Sequence, residues 1–251
     1  MNKSQPTSRL AAAIFILWVF LPASAIAEPL SQRREMELRS RITNLINPAS
    51  PEGRVMSALK RDFPDEYFGM IRRASEMDLN DSSGAKALGQ QTIRDFIRAN
   101  RMNIAVAPVG ALNRYAVAYA NLMSVLRSEN ILLCARMAMG QNSAPSGPIS
   151  ANAASATATF AEASIVAAKA GISTPVHRRL DQASPHDLDL FAEALRRQKV
   201  RDDVLSLMAE EKLSEGTPSQ QCDSGVAIIT AIAQVEQSAS ARLTAALLVT
   251  P

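Results

Sequence analysis

The sequence predicts an all-α protein, a helical bundle of roughly eight to ten helices, two of them long, with no significant β-sheet. Apolar residues recur at helical spacing along nearly the whole chain, and no convincing run of alternating apolar and polar residues marks a half-buried strand. Proline after a hydroxyl residue marks several helix starts. The composition, with 47% hydrophobic and 20% charged residues, is ordinary for a globular protein and excludes collagen-like chains and low-complexity disorder.

The first 27 residues have the three parts of a secretory signal peptide. Lys3 and Arg9 give a cationic start, an apolar run covers residues 10–21, and small residues surround positions 25–27. The apolar run is shorter than the roughly 20 residues that a retained membrane anchor, the alternative, would need. We therefore expect cleavage after Ala27, secretion to the medium or to the periplasm of a Gram-negative cell, and no stable membrane anchor on the mature chain.

Four shorter helices are predicted between the signal peptide and Pro108, because apolar residues there follow helical spacing. They cover residues 33–46, 51–63, 65–79 and 83–106. With the helix that follows Pro108 they form an N-terminal helical part, residues 28–140. A Gly/Pro/Ser-rich stretch at 141–150 is the predicted linker to a C-terminal helical part, residues 151–251.

The first long helix is predicted directly after Pro108. Leu112, Tyr119, Leu126 and Leu133 lie seven residues apart, which predicts one continuous helix of about four heptads with a single buried face. Asn130 is the polar position in the neighbouring core series, where we expect it to fix the register of packing.

The second long helix is predicted at the C-terminal end. Thr217 and Pro218 form an N-cap followed by proline at the first helical position, and an apolar face continues to Leu247. A further helix is predicted at residues 151–170. Thr174-Pro175 and Ser184-Pro185 are also predicted helix starts, the second completed by Asp187 as a capping box.

Cys134 and Cys222 are the two cysteines of the chain, 88 positions apart. In the oxidising compartment that the signal peptide implies, we expect them to form a disulfide, which would tie the two helical parts together. In the chain-entropy model such a bridge stabilises the protein by about 4 to 5 kcal/mol. The alternatives, a redox pair or a zinc site, would require C-x-x-C spacing or four ligands.

The charge distribution is balanced once the signal peptide is removed, with 25 basic and 24 acidic residues. The sequence pI of 9.1 is therefore no sign of nucleic-acid binding. The N-terminal part carries a net charge of +4 and the C-terminal part −3. These charges either complement each other or provide a cationic face for an anionic partner. The basic surface candidates are Arg33, Arg34, Arg39, Arg41, Arg72 and Arg73.

The two histidines, His177 and His186, are nine residues apart, a spacing that does not place two ligands on one helical face. We expect each to lie in the first turn of a helix and predict no metal site. Neither a Gly-rich phosphate loop nor a G-x-S-x-G elbow occurs in the mature chain, and no cofactor is predicted.

Ser57 and Lys60 match the S-x-x-K pattern in which a lysine one turn away takes the proton of a serine nucleophile. The patterns Ser128-Glu129-Asn130 and Lys169-Ala170-Gly171 follow in the order found in penicillin-binding and serine β-lactamase enzymes, to whose K-[ST]-G motif the last is similar. The last pattern lacks the hydroxyl, and no strand-forming sequence surrounds it. The alternative is that Ser57 and Lys60 lie on a helix surface and have no catalytic role.

These observations predict an exported helical protein with a non-enzymatic binding or accessory role in the cell envelope or extracellular space. Its expected partner is another envelope or extracellular protein, and no nucleic acid. Few aromatic residues and no intact catalytic motif favour this role. The alternative is a secreted hydrolase of the acyl-serine type that uses Ser57 and Lys60, and a third class is a structural or secreted cargo protein without a ligand site.

Overall fold

The computed structural model describes residues 49–77, 82–141, 149–178 and 183–249, together with the single positions 33, 36, 37 and 40. Within the four continuous ranges the protein has eleven α-helices, one short 3-10 helix (Leu213–Glu215) and no strand, which confirms the all-α prediction. The helices are α1 (Pro51–Asp62), α2 (Pro64–Ser75), α3 (Ser82–Ala99), α4 (Arg101–Ala105), α5 (Val109–Glu129), α6 (Ile131–Ala138), α7 (Ala151–Ser173), α8 (Pro185–Arg197), α9 (Asp202–Ala209), α10 (Pro218–Gln234) and α11 (Gln237–Val249).

The signal peptide prediction lies outside the described residues. Of the helix predicted at 33–46, four positions are described, and all four are helical. None of the described helices combines the length and the apolar character needed to cross a membrane.

One hydrophobic core is built from helices on both sides of segment 141–150. The two longest helices, α5 and α7, pack against each other, α1 packs on α7, and α10 packs on α5 and α6. Leu59, Leu112, Ile165 and Ile229 are among the large side chains that this core buries almost completely. The predicted N-terminal and C-terminal parts therefore share their buried surface.

The helix predicted as continuous from Pro108 through Met137 is interrupted at Asn130. The backbone of Asn130 leaves the helical region (φ −150°, ψ 79°), and its side-chain oxygen accepts a hydrogen bond of 3.0 Å from the amide of Leu133. Asn130 thus caps a new helix, α6, because its short side chain satisfies a free amide at the helix start. The prediction that Asn130 fixes the register of helix packing in the core was therefore wrong.

The C-terminal helix is also divided in two. Thr217 and Gln220 form the capping box that starts α10, as the Thr217-Pro218 pair predicted. The chain then leaves helical geometry at Val235 (φ −74°, ψ 170°), so that α10 and α11 have 17 and 13 residues. The second long helix is instead α7, with 23 residues.

The helix predicted to start at Thr174-Pro175 is absent from residues 174–178. Thr174 ends α7 and donates its hydroxyl to the carbonyl of Ala170, 3.0 Å away. The amide of Val176 donates to the carbonyl of Val106, and Arg178 Nη1 donates to the carbonyls of Ala105 and Ala107, each at 2.8 Å. These bonds hold the non-helical segment along the α4–α5 junction.

Candidate functional site

The predicted disulfide is confirmed between α6 and α10. Cys134 and Cys222 have their sulfur atoms at bonding distance and their Cα atoms 5.2 Å apart, and both residues are completely buried. Gly225, one turn after Cys222, lies so close to Ala138 that a Cβ atom at this position would overlap with α6. The bridge therefore joins two helices in close contact and fixes the start of α10 against the core.

A small cleft opens on the outer side of this region. Its volume is about 70 Å³, and it lies between the end of α5, the connection from α8 to α9, and the first turns of α10. We call it the Asp223 cleft. It is lined by Arg127, Gln198, Lys199, Val200, Arg201, Asp223, Val226 and Ala227.

The Asp223 carboxylate is held between two arginines. Arg127 Nε lies 2.8 Å from Oδ1 of Asp223, and Arg201 Nη2 lies 3.3 Å from Oδ2. The Asp223 side chain is only 13% exposed, whereas those of Arg127 and Arg201 are about half exposed, at 54% and 55%. Arg201 Nε is also 3.5 Å from Oδ1 of Asp203. The carboxylate thus orients both guanidinium groups at the mouth of the cleft.

Lys199 adds a third cation from the connection between α8 and α9. Its backbone is left-handed, with φ of 50°, directly after the end of α8. Helices commonly end with one residue in this conformation, but glycine is the usual choice. Gln198, beside it, donates a hydrogen bond of 2.7 Å to Oε1 of Gln234 on α10 and anchors the connection.

Sequence reasoning did not identify this cleft. Its charged residues come from positions 127, 199, 201 and 223, which form no local motif. Asp223 follows Cys222 directly, so the predicted bridge from Cys134 to Cys222 was the one signal that placed the end of α5 near Asp223.

A second polar cluster fixes α8 to α11. Asp187 is completely buried, and its carboxylate receives two hydrogen bonds from Arg242, Nε to Oδ2 at 2.8 Å and Nη2 to Oδ1 at 2.6 Å. Ser184 and Asp187 also form the predicted capping box at the start of α8. The hydrogen bonds from Arg242 and Ser184 hold the pKa of Asp187 well below its usual value, against the opposing effect of burial.

Replacing Asp187 by asparagine is expected to lower the free energy of unfolding at pH 7 by about 2 kcal/mol. A broken buried ion pair costs about 3 to 5 kcal/mol, and the smaller figure reflects the 40% exposure of the Arg242 side chain. Urea unfolding followed by circular dichroism measures the change. Asp189→Asn, an exposed carboxylate on the same helix, is the matched control and should leave the midpoint nearly unchanged.

The same pair predicts a loss of stability in acid. Because the pKa of Asp187 is lower in the folded chain than the unfolded value of 3.8, its contribution is present above that value. It declines as the pH falls through 3.8 towards the folded pKa. The difference in unfolding free energy between wild type and Asp187→Asn should therefore shrink from pH 7 to pH 3, and an equal difference at both pH values would contradict this assignment.

The acyl-serine candidates, Ser57 and Lys60, are exposed on α1. Lys60 Nζ lies 5.8 Å from the ring centre of Tyr67, and the Ser128 hydroxyl donates to the carbonyl of Val125 at 2.9 Å. Between these described residues, no hydrogen bond or ion pair connects Ser57 or Lys60 to Ser128 or Lys169. The acyl-serine hypothesis is thus supported by the sequence pattern alone.

The basic surface candidates are described in part. Arg33, Arg72 and Arg73 are exposed, and Arg73 Nη2 donates a hydrogen bond of 3.1 Å to Oγ1 of Thr92. Three further candidates lie outside the described residues: Arg34, Arg39 and Arg41. A continuous cationic face on this side of the protein stays a prediction.

The two histidines lie on the surface. His186 is in the first turn of α8, as predicted, whereas His177 lies in the non-helical segment after α7, so its predicted helical position was wrong. Among the residues that the structure describes, no three His, Cys, Asp or Glu side chains come together as metal ligands.

Comparisons with known proteins add no information on function, so the functional argument depends on the fold and on the two polar clusters. No protein-family model matches the chain, and neither the curated proteins nor the solved structures include a significant match.

Proposed function

We propose that this protein is exported to an oxidising compartment, the periplasm or the extracellular space, and has a non-enzymatic accessory role there by binding another protein. The observation that carries the export part of this proposal is the completely buried disulfide between Cys134 and Cys222. Disulfides persist in exported proteins and are rare in the reducing cytosol. The export signature at residues 1–27 independently favours the same compartment.

The Asp223 cleft is too small to enclose a whole small-molecule substrate. Sites for small molecules typically have volumes of about 300 to 1,000 Å³ and enclose most of the ligand. A cleft of about 70 Å³ has room for a single functional group. Such a group can belong to a larger partner whose remaining contacts lie on the surrounding helix surfaces.

Export can be tested by fractionating cells that produce the full chain with a C-terminal tag. We expect a processed form that begins at Glu28 in the periplasm or medium, with no free thiol in denaturant and two thiols after reduction. An uncleaved cytosolic protein with two free thiols would contradict export.

Partner binding can be tested by cross-linking in intact cells, followed by mass spectrometry of the proteins that co-purify with the tag. An unrelated exported protein with the same tag is the control. We expect one envelope or extracellular protein to be enriched, and purified samples of the pair should bind saturably. No enrichment above the control would overturn the accessory role.

A further inference from the structure

We propose that residues 198–216 form a lid over the Asp223 cleft, and that this lid opens as one unit while the helical core stays folded. The lid contains α9 and the short 3-10 helix that follows it. Its first residues, 198–201, form one side of the cleft, so an opened lid enlarges a site of about 70 Å³. The inference concerns the molecule alone and does not depend on the proposed function.

The lid contributes little to the buried surface of the protein. Val204 is completely buried, and it is the one buried side chain within residues 198–216. Val204 itself lies outside the hydrophobic core that the long helices share, and among the described residues no half-buried side chain of the lid packs against that core. α9 packs mainly on α10. A segment with so few buried apolar contacts opens at a lower free energy than the core helices.

Polar contacts near the surface hold the lid closed. Gln220 Nε2 donates a hydrogen bond of 2.9 Å to Oδ2 of Asp203, and Gln221 Nε2 donates one of 3.1 Å to the carbonyl of Leu213. The ion pair of Arg201 with α10 adds a contact whose guanidinium group is about half exposed. Contacts that water can replace contribute little net stability, and salt weakens exposed ion pairs. The closed lid is therefore held by interactions that break at low cost.

The helix beneath the lid stays in place when the lid opens. Cys222 ties α10 to α6 through the disulfide, and α10 also packs against α5. The two ends of the lid lie at helix termini, Lys199 directly after α8 and Gly216 directly before the cap of α10. Residues at the ends of elements can absorb the changes in backbone angles that a lid motion requires. Lys199 is strained in the closed form, with φ of 50°, and opening relieves this strain.

Hydrogen exchange of backbone amides in the oxidised protein, followed by nuclear magnetic resonance, tests whether the lid opens by itself. We expect the amides of α9 to share one opening free energy and to be protected at least about 100-fold less than those of α10. Val204→Ala removes the buried side chain of the lid and should speed exchange in α9 about tenfold. Val55→Ala, the same substitution in the core on α1, is the matched control. It should speed exchange in α10 and leave α9 unchanged, because the core stays folded when the lid opens.

A thiol introduced at the cleft tests whether opening exposes it. Ala227 lines the cleft on α10 and is 5% exposed, so Ala227→Cys places a thiol that the closed lid protects. We expect iodoacetamide to label this thiol about tenfold faster when Val204→Ala is added, and at an unchanged rate when Val55→Ala is added. Peptide mapping by mass spectrometry confirms that Cys134 and Cys222 remain paired in each variant.

Three results would overturn the proposal. The first is equal protection of the amides in α9 and α10. The second is faster exchange in α9 with Val55→Ala, which would show that α9 opens only when the whole chain unfolds. The third is a labelling rate that Val204→Ala does not change, which would show that the lid does not cover the cleft. Amide exchange decides the first two outcomes even if Ala227→Cys does not fold.

Discussion

Removal of the disulfide is expected to lower the free energy of unfolding by about 4 to 5 kcal/mol. The bridge connects residues 88 positions apart. In the chain-entropy model it lowers the entropy of the unfolded chain, which contributes about this much to the free energy of unfolding. Typical domains have total stabilities of about 5 to 15 kcal/mol, so the variant Cys134→Ala/Cys222→Ala should be close to unfolding at physiological temperature. Urea unfolding of oxidised wild type and of this variant, at the same pH, measures the difference.

Reduction of the wild-type protein provides a second measurement without a cavity at either sulfur. Both cysteines are completely buried, so reductant without denaturant should act slowly, at the rate at which the chain opens. With moderate urea, reduction should become fast and should lower the unfolding midpoint as the double variant does. Equal midpoints for the oxidised and reduced chains would show that the bridge does not stabilise the fold.

Features that depend on neighbouring residues were predictable from the sequence. Thr217 and Ser184 start helices because their hydroxyls accept hydrogen bonds from amides three residues later, and a proline follows each one. The capping hydrogen bond and the proline both lie within one helical turn, so no distant residue is needed to recognise these helix starts. The pairing of Cys134 with Cys222 was also predictable, because a chain with two cysteines offers one intramolecular pair.

Features that depend on distant contacts were not predictable. The apolar spacing of α5 continues into α6, so the pattern alone does not reveal that Asn130 interrupts the helix. At Thr174 the local signal for a helix start was outweighed by hydrogen bonds from Val176 and Arg178 to the α4–α5 junction. The Asp223 cleft combines residues from the end of α5, the connection after α8 and the first half of α10, which lie far apart in the sequence.

Replacing Gly171 by alanine is expected to destabilise the protein by about 3 kcal/mol, the upper part of the usual range for overpacking. A Cβ atom at this position of α7 would overlap with the carbonyl oxygen of Asn103 and would lie 3.3 Å from the amide nitrogen of Ala107. These are backbone atoms, so relief requires α7 to move away from α4, and the core contacts of both helices would loosen. Urea unfolding followed by circular dichroism measures the loss.

Gly69→Ala is the matched control, because Gly69 lies in the middle of α2 and a Cβ atom there would meet no atom within 4 Å. Alanine restricts the unfolded chain more than glycine does, so this variant should be more stable than wild type by about 0.5 to 1 kcal/mol. The same substitution in two helices should thus change stability in opposite directions. Equal effects at Gly69 and Gly171 would contradict the close approach of α7 to α4.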